Sequence, residues 1–165
     1  MRDENRAKII STPQSVSISI TGRCNLKCKY CFYANEMTAL TDLKTEQWLN
    51  FFKNLRDSNV MDVSISGGEP FTHPDLFDLI DGIISNKMRY NILSNGTLIN
   101  EKTILKLEKG KRKLRLDYIQ ISIDGSTAEI HNKSRPDSFD RAIKGLRLLK
   151  DTGFSVTVRV TINKH

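Results

Sequence analysis

The chain is 165 residues long, with 26 Lys and Arg against 19 Asp and Glu, a formal net charge of +7, three cysteines and 7% aromatic residues. A chain of that length buries about two-thirds of the surface it exposes when unfolded, so one core is expected rather than several. An odd cysteine count excludes a closed disulfide framework, and the longest apolar runs are far too short to span a bilayer.

Residues 1–13 are polar and basic and read as a loose terminal segment, and 14–165 read as one domain. Val16-Ser17-Ile18-Ser19-Ile20 alternates apolar with small or polar residues, the period of a strand with one greasy and one polar face. It leads into Cys24-Asn25-Leu26-Lys27-Cys28-Lys29-Tyr30-Cys31, which holds all the cysteine of the chain. Three thiols this close can form one side of a metal site and leave it a ligand short. Structural zinc takes four ligands, usually in separated pairs. Most iron–sulfur clusters take four thiolates, so three on a cubic [4Fe–4S] cluster leave one iron with an open position. The plainer alternative is a Cys3His zinc site that borrows a distant histidine. Trp48, Phe52 and Leu55 then mark a helical stripe after a Thr45 cap.

Val63-Ser64-Ile65-Ser66 reads as the second strand and runs into Gly67-Gly68-Glu69-Pro70. Two glycines permit close backbone approach to a ligand or a positive φ, and proline fixes the exit direction. Glu69 and the exposed carbonyls offer acceptors for an ammonium group. Leu76, Ile80, Ile83 and Ile84 form a second helical stripe, Asn91-Ile92-Leu93-Ser94 a third strand, and Ile104 with Leu107 a short helix. Lys109, Lys111, Arg112, Lys113 and Arg115 make a basic run for which an acidic peptide or RNA is conceivable. No aromatic residue interleaves it to stack bases, so it reads as a solvated connector, and nucleic acid is not the expected partner. Ile119-Gln120-Ile121-Ser122-Ile123 is the fourth strand. Phe139, Ala142, Ile143, Leu146 and Leu149 form the last helical stripe, and Val156-Thr157-Val158-Arg159-Val160 is the fifth strand. Arg159, on its polar side, either faces the lumen or blunts an exposed sheet edge.

Strand–helix alternation argues a parallel sheet with right-handed crossovers. Ordinary parallel strands are apolar on both faces, whereas every strand here keeps a face of Ser, Thr, Gln or Arg. Helices are therefore expected on the apolar face alone, with the polar face lining a cavity. The expected fold class is α/β, a partial (β/α) barrel whose site gathers at the carboxyl ends of the strands.

Each motif falls at such an end. The cysteine triplet follows the first strand, Gly67-Gly68-Glu69-Pro70 the second, Asn95-Gly96 the third and Ser122-Ile123-Asp124-Gly125 the fourth. With these residues the chain resembles the radical S-adenosylmethionine (radical SAM) superfamily from about Val16 to His165. Thr21-Gly22-Arg23-Cys24-Asn25-Leu26 looks most like its peptide- and protein-modifying branch, which includes the sulfatase-maturing enzymes. The resemblance implies six strands. Five are present, so the core is expected to be incomplete at its C-terminal side, and no cysteine remains for an auxiliary cluster. It further implies a [4Fe–4S] cluster on Cys24, Cys28 and Cys31, and S-adenosylmethionine chelated at the open iron and cleaved reductively to a 5′-deoxyadenosyl radical.

By the same resemblance Tyr30 stacks near the adenine, and Gly67, Gly68 and Glu69 hold the amino group, with Pro70 shaping the turn. Asn95 joins the cofactor contacts, and Ser122 and Asp124 face the ribose or carboxylate region. Arg135 either grips the methionine carboxylate with its two-pronged fork or is a solvated residue ahead of a helix cap at Asp137 or Ser138. The expected partners are a peptide or protein substrate and a reducing donor of the flavodoxin or ferredoxin kind, which Arg23, Lys27 and Lys29 are placed to dock. No membrane is expected, and the thiols and an oxygen-sensitive cluster suit a reducing cytoplasm. The alternatives are a nucleotide- or tRNA-modifying member, a non-catalytic cluster-binding fragment, and a structural zinc module.

Overall fold

A computed structural model describes residues 13–31, 34 and 41–162 of the chain; apart from Pro13, the loose segment expected over 1–13 lies outside the described residues. Five parallel strands form one sheet, ordered as in the chain: β1 (Ser15–Ser19), β2 (Asp62–Ser66), β3 (Arg89–Ser94), β4 (Leu116–Ser122) and β5 (Val156–Arg159). The crossovers carry α1 (Thr45–Asp57), α2 (Leu76–Ser85), α3 (Glu101–Glu108), α4 (Arg112–Arg115), α5 (Ala128–Ser134) and α6 (Phe139–Asp151), with a 3₁₀ turn at Pro70–Thr72.

The period-two pattern explains the layering. Ile18, Ile65, Ile92 and Ile119 are register partners in one row across β1 to β4, and Val156 continues it on β5. All four isoleucines are buried, each worth about 1.5–3 kcal/mol relative to exposure. Trp48, Phe52, Leu76, Leu79, Ile80, Ile83, Ile104, Leu107 and Leu149 pack from the helices into the same core. The other face keeps Ser64, Ser66, Gln120 and Ser122 only partly covered. The result is the one-sided, open partial barrel that the alternation predicts. Among the described residues no helix is long and apolar enough to cross a membrane.

Three local expectations need correction. Thr45 is the first residue of α1 rather than its cap; its hydroxyl donates to Asp75 Oδ2 (2.7 Å), while the backbone N–H of Lys44 donates to Gln47 Oε1 (3.0 Å). At the start of α6 neither Asp137 nor Ser138 caps the helix with its side chain. Asn132 Oδ1, from α5, accepts from the N–H groups of Ser138 and Phe139 instead. The basic run is not wholly a solvated connector, because Arg112 is buried. Its Nε and NH2 grip Asp81 (2.8 and 2.6 Å), its NH1 donates to the carbonyl of Lys106 (2.8 Å), and its plane lies over Phe77. This guanidinium ties α4 to α2 and to the end of α3.

Candidate functional site

The exits of β1 and β2 are bound together so closely that only glycine fits. Gly68 N–H donates to the carbonyl of Thr21, and Glu69 N–H to that of Arg23, both at 2.8 Å. A Cβ on Gly67 would meet Thr21 O at 2.6 Å, and one on Gly68 would meet Arg23 O at 2.3 Å. Gly67 also takes φ +151°. The twin glycines therefore let the cysteine loop, and not only a ligand, approach β2. Asp42 fastens the start of that loop. It accepts from the Thr21 hydroxyl (3.0 Å), the Gly22 N–H (3.2 Å) and the Arg23 guanidinium. Burial works against its charge, but these three donors outweigh it and hold the carboxyl below its ordinary value. Asn25 joins the loop to the exit of β3, accepting from Asn95 Nδ2 (2.9 Å) and donating to Thr97 (2.8 Å).

The far end of the loop is tied to β4 and α5. Tyr30 donates its hydroxyl to Asp124 Oδ2 at 2.5 Å, and Lys29 N–H donates to Ser134 O at 3.0 Å. Arg135 Nε donates to the same Asp124 oxygen (2.8 Å), its NH1 points at Cys28 Sγ (3.7 Å), and its plane lies over the Tyr30 ring. Thr161 N–H takes the other Asp124 oxygen at 3.0 Å. Burial opposes the charge on Asp124, but Tyr30, Thr161 and Arg135 keep its carboxyl below the usual range. Burial and the bond to Asp124 in turn push the Tyr30 hydroxyl up to about 12. Behind this set stands His131, fully buried. Its Nδ1 accepts from Asp124 N–H (3.1 Å), and its Nε2 pairs with Ser138 Oγ (2.9 Å), which donates to Arg135 O (2.7 Å). Those partners define a neutral ring with the proton on Nε2, and burial, helped by Arg135, lowers its pKa.

One cleft of about 480 Å³ opens between these elements. Cys24, Cys28, Cys31, Tyr30, Gly67, Gly68, Asn95, Ser122 and Arg135 line it, together with Ser66, Gln120, Arg159 and Thr161. Arg135 is thus no solvated residue; its side chain is 12% exposed. Three expected contact residues do not line the cleft. Pro70 is buried at the start of the 3₁₀ turn. Glu69 is fully buried and gives its carboxylate to the protein, accepting from Asn95 N–H (2.7 Å), the Ser94 hydroxyl (2.9 Å) and Phe71 N–H (3.2 Å). Burial pushes this carboxyl up to about 7 against those three donors. Asp124, expected to face the ribose or carboxylate region, has both its oxygens taken by Tyr30, Arg135 and Thr161. Asp42, His131 and Ser138 were not legible as parts of the site, whereas Gln120 lies on the polar face that the alternation placed in the cavity.

The three cysteines are free and half-buried, and all line the same cleft. Among the described residues no three His, Cys, Asp or Glu side chains converge to hold one metal ion. A mononuclear zinc needs such convergence, whereas a cube offers a separate iron to each sulfur. Burial raises the Cys24 and Cys28 thiols, partly offset at Cys28 by Arg135, so binding a metal there releases protons.

Comparison with known proteins matches this geometry. The model of the Radical SAM superfamily matches residues 18–164. The chain is 31% identical over 152 residues to the antilisterial bacteriocin subtilosin biosynthesis protein AlbA of Bacillus subtilis, covering 91% of this chain and 33% of that protein. It is 30% identical over 161 residues to the PqqA peptide cyclase of Granulibacter bethesdensis, covering 94% and 41%. The crystal structure of Streptococcus suis SuiB superposes with a TM-score of 0.80 at 25% identity, covering 94% of this chain and 34% of SuiB. SuiB has also been solved bound to the precursor peptide SuiA. The chain thus spans well under half the length of each of these proteins.

Proposed function

The chain belongs to the radical SAM superfamily, and on that footing we propose that it carries a three-cysteine [4Fe–4S] cluster, binds S-adenosylmethionine beside it and cleaves it reductively to modify a peptide or protein. The observation that carries this reading is the meeting, in one cleft, of three half-buried thiols, the twin-glycine turn and the Ser122–Arg135 pair. The peptide substrate is favoured by the relatives, among them a peptide cyclase and a protein solved with its precursor peptide. When bound, the cluster supplies the electron that splits the sulfonium of S-adenosylmethionine into methionine and a 5′-deoxyadenosyl radical.

The chain's own residues place and hold. Cys24, Cys28 and Cys31 are the iron ligands. Backbone carbonyls at Gly67 and Gly68 accept from the cofactor's ammonium group, and Glu69 supports that turn from behind by fixing the exit of β3. Ser122 and the NH2 of Arg135, which has no partner among the described residues, meet the carboxylate. Tyr30 and Asn95 flank the adenosine, and Asp124 holds Tyr30 and Arg135 in register. Arg23 is engaged by Asp42, so exposed Lys27 and Lys29 remain as the cationic side for an acidic flavodoxin- or ferredoxin-like donor in a reducing cytoplasm.

Anaerobic reconstitution tests the reading. About four irons per chain are expected by cubane stoichiometry, with an electron spin resonance signal that changes on adding S-adenosylmethionine and with 5′-deoxyadenosine formed under dithionite. A Cys28→Ala variant that kept the full cluster signal, or a wild-type chain that bound only zinc, would overturn it.

A further inference from the structure

The cleft contains two guanidinium groups, and they are in different states. Arg135 is held by the protein through its Nε on Asp124, its NH1 toward Cys28 and the face of Tyr30, which leaves only its NH2 for the cofactor's carboxylate. Arg159 lines the same cleft from β5, beside its register partner Ser122 on β4. Among the described residues its side chain makes no hydrogen bond and no ion pair.

The remainder of that wall offers hydrogen-bond donors. Gln120 and Ser122 lie two apart on β4 and so share a face, and Thr161 follows Arg159 by two residues. No carboxylate lines the cleft, because Glu69 and Asp124 both point their oxygens into protein bonds. A guanidinium with hydroxyl and amide groups around it, and no counter-charge among the described residues, accepts an anion. Its planar fork matches a carboxylate by two parallel hydrogen bonds.

We infer that Arg159 is a second carboxylate receptor in the cleft, and that it selects an acidic side chain or terminal carboxylate of the peptide brought to the cluster. This rests on the peptide-modifying reading. The same chemistry could be met by the carboxylate of S-adenosylmethionine itself, so the experiment separates the two sources. Charge-assisted hydrogen bonds of this kind translate into roughly 10- to 100-fold in affinity.

The test uses the 15N-arginine-labelled chain, with the Arg159 Nε–H resonance identified by its loss in Arg159→Lys. The blocked tripeptides Ac-Gly-Glu-Gly-NH2 and Ac-Gly-Gln-Gly-NH2 and S-adenosylmethionine are titrated separately. A shift with the glutamyl peptide, absent with the glutaminyl peptide and in Arg159→Ala, supports the inference with the peptide as source. A shift with S-adenosylmethionine, accompanied by a 10- to 100-fold loss of its affinity in Arg159→Ala, supports the carboxylate role with the cofactor as source. Equal response to both tripeptides, or no response to any carboxylate, overturns it. Arg159 is exposed on an edge strand, so its variants keep the fold, checked by circular dichroism. Formation of 5′-deoxyadenosine by the same preparation shows whether a negative result concerns Arg159 alone or the radical SAM reading.

Discussion

Replacing Gly68 by alanine tests how the cysteine loop is held. The new Cβ would lie 2.3 Å from Arg23 O, 2.6 Å from Arg23 C and 2.9 Å from Gly22 O, all of them backbone atoms with no rotamer to relieve the clash. The β1 and β2 exits must then separate, which strains or breaks the bonds from Gly68 N to Thr21 O and from Glu69 N to Arg23 O. Two hydrogen bonds at about 1 kcal/mol each, added to an overpacking cost of about 1–3 kcal/mol, give a loss of about 3–5 kcal/mol. Gly110→Ala is the control. Nothing lies within 4 Å of its Cβ position, and its φ of +65° alone costs about 1 kcal/mol. Urea denaturation of the metal-free chain measures both variants, and iron bound after anaerobic reconstitution reports on the loop. A Gly68→Ala chain within 1 kcal/mol of wild type by the usual mutational scale, with a full iron load, would refute the reasoning.

Other expectations follow from the same network. His131→Ala removes both ring hydrogen bonds and leaves a cavity, at about 2–4 kcal/mol; because Arg135 is then unbraced, affinity for S-adenosylmethionine in equilibrium dialysis should fall more than in an equally destabilised core variant such as Ile83→Ala. Glu69 has its carboxyl raised in the folded chain from 4.5 to about 7, so its stabilisation is complete below the lower value and is lost as pH rises through the upper one. That amounts to on the order of 3 kcal/mol, read as a fall in urea stability from pH 5 to 8 that flattens in Glu69→Gln. Asp42 has the opposite sign, with a lowered carboxyl; Asp42→Asn should remove a stabilisation present at neutral pH and lost on acidification, and speed proteolysis near Gly22. Tyr30→Phe should cost about 1 kcal/mol while preserving the ring beneath Arg135, measured by the same urea melts.

What could be read from the sequence was whatever has a local signature. Alternation in Val16–Ile20, Ile119–Ile123 and the other strands placed both the buried isoleucine row and the polar lining, because pleating sends neighbours to opposite faces. Cysteine spacing placed three thiols on one loop. Contacts over long sequence separations had no such signature. Gly67 and Gly68 were legible as glycines needing room, but the backbone that fills it, at Thr21 and Arg23, lies more than forty residues earlier. Arg112 looked like one charge in a solvated run until Asp81, on another helix, was brought to it. Glu69 and Asp124 were legible as acceptors near the site, yet each turns its oxygens to donors on other elements. His131, between Ile130 and Asn132, gave no sign that Asp124 and Ser138 would saturate its ring.

Strand order equal to chain order has a consequence for biogenesis. Each strand docks beside the one synthesised just before it, so the sheet can grow vectorially as the chain leaves the ribosome. The thiols emerge early, but Asp124, Ser134 and Arg135, which brace their loop, arrive about a hundred residues later. A nascent chain therefore carries a bare, unbraced sulfur trio while the next hundred or so residues are made, and delivery of iron to the proposed cluster is best timed after α5 has closed behind Tyr30.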